Sequence, residues 1–318
     1  MLPALLLLAS LAAQTTTIHA APLAPAAERQ AQANYRIYDA RTREALSIDD
    51  VLTALDMVET VCIGESHNDP AAHAFEAELF KSALAHNIPD RYRKGRPVVL
   101  SLEMFERDVQ IVLDEYLRGL IAERHFLLSS RPWNNYQTDY RPLVELAREH
   151  KSAVIAANAP ARYVNRVSRL GQGSLKDLPP AARAWLPPLP YKAASIAYAA
   201  KFKKLMTGPH MTDSTQSQPS PHANAYLLDA QTLRDATMAY AITERLKHQP
   251  AALVFHIGGS FHTEERLGLP EQITNYRKLA RTLVITIVPD NGYPEFDAAR
   301  LAKLGDIIVL TPPLPRSF

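Results

Sequence analysis

Acidic and imidazole side chains follow three apolar, strand-like stretches of this sequence. The stretch 61–63 leads into Gly64-Glu65-Ser66-His67, the stretch 98–102 into Glu103, and the stretch 253–255 into the segment His256–His262. In an open α/β sheet the carboxyl ends of parallel strands gather at one edge, where ligands bind. We therefore expect these side chains to share one polar cleft.

A carboxylate beside an imidazole can bind a metal ion, fix a histidine tautomer or act as an acid–base pair. Glu65 and His67 have this spacing after Gly64, although a solvated turn with a salt-bridged Glu65 would produce the same pattern. We expect His262 to begin a helix, whose dipole would keep its ring neutral, as a base or metal ligand requires. His256 lies nearer its strand, which favours a hydrogen-bonded core histidine.

Glu103 would be costly to bury without a partner, so we expect it to meet His67, His262, an arginine or a metal ion. A simple ion pair is the alternative. Asn158 ends a further strand-like segment and could donate a hydrogen bond into the same cleft. The candidate residues of the polar cleft are thus Glu65, His67, Glu103, Asn158, His256 and His262. The zincin motif HExxH and the α/β-hydrolase motif GxSxG are both absent.

The amino-terminal residues resemble a signal peptide. Residues 1–13 are nearly all Leu and Ala, and small residues permit cleavage after Ala20 or Ala21. No later stretch is apolar for long enough to span a membrane. We therefore expect residues 1–20 to be removed and the product to be exported, into the periplasm if the host is Gram-negative. The single cysteine, Cys62, lies in an apolar strand, so we expect neither a disulfide nor a lipid anchor.

Strand-like and helical segments alternate along most of the chain, which predicts an α/β fold with a mostly parallel, doubly wound sheet. We assign residues 35–160 and 224–313 to the two halves of this sheet. Residues 161–223 are predicted to form a helical insertion subdomain, with a mobile loop at about 207–221. The formal charge is +2 with dispersed Lys and Arg, which disfavours nucleic-acid binding.

Five motifs, in order, resemble those of the ChaN-type haem-binding proteins, whose superfamily also includes the Tiki proteases and erythromycin esterases. The motifs are GESHND at 64–69, SLEMF at 101–105, AANAP at 156–160, the helical segment 230–239 and HIGGSFH at 256–262. The resemblance implies an exported α/β protein of iron acquisition that binds haem through a tyrosine, with two chains meeting around a haem pair. A phenolate favours ferric iron, which suits capture and storage.

The motifs do not single out the haem ligand. The candidates are Tyr163, Tyr191, Tyr198, Tyr226, Tyr240 and His210, each of which ordinary packing or a solvated loop also explains.

Two other functions stay open. In the wider superfamily, turns like 64–67 and 259–262 serve catalysis, which implies a hydrolase as the alternative. If that hydrolase is metal-dependent, His67, Glu103 and His262 would hold a divalent ion. The third hypothesis is a partner-binding module whose polar cleft is only structural.

Overall fold

The computed structural model describes residues 34–89, 94–207 and 225–315. Its centre is one eight-stranded sheet with the strand order β2-β1-β8-β7-β3-β6-β4-β5. All neighbouring strands are parallel except β1, which pairs antiparallel with β2 and β8. The strands are β1 Arg36–Asp39, β2 Ala45–Leu46, β3 Thr60–Glu65, β4 Val98–Glu106, β5 Val154–Asn158, β6 Leu253–Gly259, β7 Thr282–Pro289 and β8 Ile307–Thr311. The predicted α/β fold with a mostly parallel sheet is confirmed.

Helices connect the strands and cover both faces of the sheet. They are α1 Ile48–Leu55, α2 Pro70–His86, α3 Gln110–Leu117, α4 Glu123–Ser130, α5 Arg141–Glu149, α6 Ala161–Leu170, α7 Pro180–Arg183, α8 Ile196–Thr207, α9 Leu227–His248, α10 Leu269–Tyr276 and α11 Ala298–Leu301. Asp69 caps α2 by accepting hydrogen bonds from the first-turn backbone N–H groups of Ala71 and Ala72. That cap fixes the direction in which α2 leaves the turn that follows β3.

Successive residues of the central strands pack on opposite faces of the sheet. Leu100 and Phe255 belong to one apolar cluster, whereas Val99 and Val254 belong to another. Burial on both faces explains why these strands read as continuous apolar stretches in the sequence. Cys62 is fully buried in β3, as its apolar surroundings predicted.

The register of the parallel strands determines how far along the strand direction each candidate residue lies. Glu65 of β3 lies opposite Gly259 of β6, and Leu102 of β4 lies opposite Ile257. The side chain that follows Leu102, Glu103, therefore reaches the same sheet edge as Glu65. Parallel pairing thus brings the ends of three distant segments together.

Between β5 and α9 the described chain forms helices and turns, and its residues Tyr163, Val167 and Leu175 pack in one apolar cluster with Leu233 of α9. The subdomain boundaries stay a prediction. The signal peptide 1–20, His210 and the proposed mobile loop beyond Thr207 lie outside the described residues. Within the described ranges, no helix has both the length and the apolarity needed to cross a membrane.

Candidate functional site

Three candidate residues meet at the carboxyl edge of the sheet. Glu65 ends β3, Glu103 lies in β4, and His262 ends a short 3₁₀ turn, Ser260–His262, directly after β6. All three are buried. A fourth participant, Asp235, comes from α9 and was not among the candidate residues.

His262 lies between two carboxylates. Its Nδ1 is 2.6 Å from Oδ1 of Asp235, and its Nε2 is 3.3 Å from Oε1 of Glu103. Tyr198 donates a 2.6 Å hydrogen bond to the other oxygen of Asp235, and the Gly259 N–H donates one of 2.7 Å to Glu103. This arrangement favours a protonated His262 held between two carboxylates.

The protonation states follow from that geometry. Burial lowers the pKa of His262, but Glu103 and Asp235 outweigh it and raise the pKa to about 10. Burial opposes ionisation of Glu103, yet the imidazolium brings the pKa of this carboxyl far below its usual range. The expectation of a neutral His262 ring was therefore wrong, because the two carboxylates contribute more than a helix dipole does.

A second histidine, His67, lies at the mouth of the cleft with 45% of its side chain exposed. Its Nδ1 is 2.9 Å from Oε1 of Glu65, which also accepts a 2.5 Å hydrogen bond from the Tyr140 hydroxyl. The Trp133 ring packs edge-on against the imidazole at 4.6 Å. A Cβ at Gly259 would lie 3.0 Å from Nε2, so glycine makes room for the ring.

Burial lowers the pKa of His67, but the hydrogen bond to Glu65 and the charge of Glu103 outweigh burial, so the pKa lies above its usual range. The Glu65–His67 pairing has the geometry of an oriented acid–base group.

A third histidine, His73, is packed behind Glu65. Its Nδ1 lies 3.2 Å from Oε2 of Glu65 and 3.1 Å from Oε2 of Glu76. Burial lowers the His73 pKa, but Glu76 and Glu65 raise it to about 9. Burial and the charge of Glu65 raise the Glu76 pKa to about 8. Neither residue was among the predicted site residues, although a His and a Glu three apart on the helix that follows the Gly64 turn were a usable signal.

The remaining cleft candidates take no part in these ion pairs. His256 is fully buried, and its Nδ1 is 2.9 Å from the Ser101 hydroxyl, as expected of a core histidine. Burial lowers its pKa to about 4. Asn158 is buried at the end of β5, where its side-chain oxygen accepts a hydrogen bond from the Ala159 N–H.

The candidate tyrosines differ mainly in exposure. Tyr163, Tyr191 and Tyr198 are buried, Tyr240 is partly buried against Tyr276, and Tyr226 is 45% exposed. The Tyr191 hydroxyl donates to the Asp229 carbonyl. Desolvation raises the pKa of both Tyr191 and Tyr198 well above the usual range, which disfavours a phenolate at either position.

Residues 51–273 match the model of the family described as haem-binding uptake, Tiki superfamily, ChaN. The chain belongs to this family. One similar solved structure is that of cofacial haem binding to ChaN of Campylobacter jejuni. Its TM-score is 0.60 at 17% sequence identity, and the match covers 87% of this ChaN-family chain and 97% of that chain. That likeness supports the shared fold.

Two further solved structures match more distantly. The type III effector HopBA1 has a TM-score of 0.46 and 11% identity, covering 84% of this chain and 94% of that one. A mutant of the erythromycin esterase EreC in its open conformation has a TM-score of 0.45 and 12% identity, covering 89% of this chain and 84% of that one. No curated protein sequence matches this member of the ChaN family.

Proposed function

We propose that this ChaN-family chain is an exported haem-binding protein of iron acquisition and that Tyr226 ligates the haem iron. The exposure of Tyr226 carries the choice of residue: 45% of it is accessible, whereas Tyr163, Tyr191 and Tyr198 are at most 9% exposed. An axial phenolate must reach an iron atom outside the protein core. Tyr226 meets that requirement without rearrangement of the fold.

The surroundings of Tyr226 fit a flat, apolar, anionic ligand. Gly171 packs closely against the ring of Tyr226, since a Cβ placed on Gly171 would lie 3.3 Å from that ring. The neighbouring Leu170 is 53% exposed. Arg169, also exposed, offers a cation for a propionate group. Apolar surface, a phenol and a guanidinium thus occur together at the end of α6.

The test is a titration of tag-free protein with haemin, followed by absorption spectroscopy. We expect a saturable complex with a high-spin ferric, tyrosinate-type spectrum. Tyr226→Phe should weaken binding at least about 10-fold and remove the tyrosinate bands. Tyr240→Phe tests the remaining partly exposed candidate, and Tyr38→Phe, at the stacked Tyr38–Phe296 pair, is the matched control.

Two results would count against the proposal. An unchanged spectrum in Tyr226→Phe would move the ligand elsewhere, first to Tyr240. Absence of saturable binding in the unmodified protein would remove haem as the ligand of this chain.

Export and assembly complete the proposal. The Leu/Ala-rich residues 1–13 support export, and the mature amino terminus, read by mass spectrometry of periplasmic extract, should begin after Ala20 or Ala21. By analogy with the cofacial haem of ChaN from Campylobacter jejuni, we infer that two chains enclose two haems. Haemin should then convert monomer to dimer in light scattering, and Tyr226→Phe should stay monomeric.

The second candidate function is that of a hydrolase, and the Glu65–His67–Tyr140 arrangement favours it. A half-exposed imidazole oriented by a buried carboxylate can, in its neutral form, accept a proton from water. His262 uses both ring nitrogens on carboxylates, so a divalent ion at His67, Glu103 and His262 would have to displace one of them. We therefore favour direct activation of water over a metal at those three residues.

An ester-substrate screen tests this function. His67→Asn should abolish hydrolysis while haem binding persists, and His86→Asn, a histidine of α2 that pairs with Asp56, is the control. Hydrolysis that survives in His67→Asn would contradict the assignment.

A further inference from the structure

The second carboxylate oxygen of Glu65 belongs to a separate group of potential ligand atoms. Glu65 Oε1 binds His67 and Tyr140, whereas Oε2 faces Nδ1 of His73 at 3.2 Å. The same Nδ1 faces Oε2 of Glu76 at 3.1 Å. One ligand atom from each of these three residues, Glu65, His73 and Glu76, lies within 4.8 Å of the other two.

We propose that Glu65, His73 and Glu76 bind one divalent first-row transition-metal ion. The inference goes beyond both candidate functions, because His73 and Glu76 belong neither to the proposed haem surface around Tyr226 nor to the predicted polar cleft. An ion here would fix Glu65, and through Glu65 Oε1 it would fix the orientation of His67.

The spacing of the ligand atoms suits such an ion. With bonds of about 2.1 Å, neighbouring ligand atoms are about 3.0 Å apart in an octahedron and about 3.4 Å apart in a tetrahedron. The separations of 3.2 and 3.1 Å between Nδ1 of His73 and the two carboxylate oxygens fall between these values. These two separations therefore suit an ion bound to Nδ1 and to one oxygen of each carboxylate.

The other nitrogen of His73 is arranged as in known metal sites. A ligating histidine usually donates its second ring N–H to a carboxylate or a backbone carbonyl. Nε2 of His73 lies 3.3 Å from the His67 carbonyl oxygen and 3.5 Å from Oδ2 of Asp139. Asn135 donates to both of those oxygens and holds them in place. In a metal-bound His73 the unprotonated nitrogen would then be Nδ1, which faces the two glutamates.

Two buried carboxylate oxygens of this group have no hydrogen-bond partner among the described residues. Oε2 of Glu65 and Oε1 of Glu76 are inaccessible to solvent and form no hydrogen bond with the described part of the chain. Both side chains are completely buried. Burying such polar atoms without a partner is unfavourable, and a divalent ion would satisfy them and neutralise two carboxylates at once.

The ligand types select the class of ion. One imidazole nitrogen with carboxylate oxygens suits Mn²⁺, Fe²⁺, Co²⁺ or Zn²⁺, whereas Ca²⁺ and Mg²⁺ prefer sites made of oxygen alone. The competing interpretation is a proton in place of the ion, shared within a hydrogen-bonded cluster of the same three side chains.

Metal analysis separates these two interpretations. Haem-free, tag-free protein is stripped with chelator, equilibrated with Zn²⁺, Mn²⁺, Mg²⁺ or Ca²⁺, dialysed and analysed by mass spectrometry. We expect about one tightly held Zn²⁺ or Mn²⁺ per chain and no retained Mg²⁺ or Ca²⁺. A chain that retains none of these ions holds a proton instead, and the proposal is then overturned.

Variants on one helix locate the ion. His73→Asn and Glu76→Gln should each weaken Zn²⁺ binding by more than about 100-fold. Glu78→Gln and His86→Asn are matched controls, because both residues lie on α2 and have side-chain partners elsewhere, Tyr35 and Asp56. Equal binding by the site variants and the controls would refute the assignment.

X-ray absorption at the zinc edge needs no variant and covers the case in which the variants fail to fold. The proposal predicts a single imidazole nitrogen among oxygen donors. Two imidazoles would place the ion between His67 and His262 and would contradict the proposal. A haemin titration of the same Zn²⁺-loaded protein tests the haem proposal independently, so that either proposal can fail without the other.

Discussion

Replacing His262 by glutamine removes the cation that lies between the buried carboxylates of Glu103 and Asp235. The rise of the His262 pKa from 6.5 to about 10 corresponds to roughly 5 kcal/mol, since each tenfold step in proton affinity is worth about 1.4 kcal/mol. Mutational data on broken buried ion pairs give about 3–5 kcal/mol. We therefore expect His262→Gln to lower the free energy of unfolding at pH 7 by about 3–5 kcal/mol.

Urea unfolding of purified, haem-free protein measures this loss, and His256→Gln is the matched control. His256 is equally buried, but its pKa is lowered to about 4, so it is uncharged at pH 7. Its replacement removes one neutral hydrogen bond to Ser101 and should cost about 1–2 kcal/mol.

The pH dependence provides a second test. Because the folded-state pKa of His262 lies above its unfolded value, its contribution is complete below about pH 6.5 and is lost as the pH rises toward about 10. The difference in stability between the unmodified protein and His262→Gln should therefore shrink between pH 7 and pH 10.

A double-mutant cycle shows whether the charges act together. Glu103→Gln in the His262→Gln background should restore part of the lost stability, because it removes one of the uncompensated carboxylates. Two results would refute the reasoning: a loss in His262→Gln no larger than in His256→Gln, or strictly additive effects in the cycle.

Three further outcomes test the packing around the site. Gly64→Ala should lower the free energy of unfolding by about 1–3 kcal/mol, because the new Cβ would overlap Oγ1 of Thr263. Gly173→Ala, which has open space around it, should leave stability unchanged. Equal losses of both variants in urea unfolding would contradict this prediction. Tyr140→Phe removes a buried hydrogen bond and should lower stability by about 1–3 kcal/mol by the same measurement, so an unchanged midpoint would be unexpected. Cys62 is buried, and burial raises its pKa to about 12. Ellman's reagent at pH 8 should therefore react with Cys62 only after unfolding. Rapid reaction of the native protein would argue against the placement of Cys62 in a buried strand.

The strand-end placement of Glu65, Glu103 and His262 was predictable because it follows from parallel topology alone. Apolar stretches buried on both faces identify the strands, and parallel pairing brings their carboxyl ends together whatever the intervening sequence. Boundaries were less accurate. The apolar stretch 98–102 identifies β4, but the strand continues to Glu106 and a 3₁₀ turn precedes α3.

The partners supplied by helices were not predictable from local sequence. Asp235, Tyr140 and Tyr198 reach the site from helices whose rotation and position depend on tertiary packing. The charge of His262 could not be inferred without Asp235, since the helix dipole alone predicted the opposite protonation state. For the same reason the haem ligand could not be chosen before the exposure of each tyrosine was known.

The location of iron in the haemin complex is the most direct test of the central claim. Anomalous diffraction at the iron edge, from crystals grown with haemin, should place the iron within coordination distance of the Tyr226 oxygen, beside Leu170 and Gly171. Iron at the sheet edge, next to His67 or His262, would contradict the account and make the polar cleft the haem site.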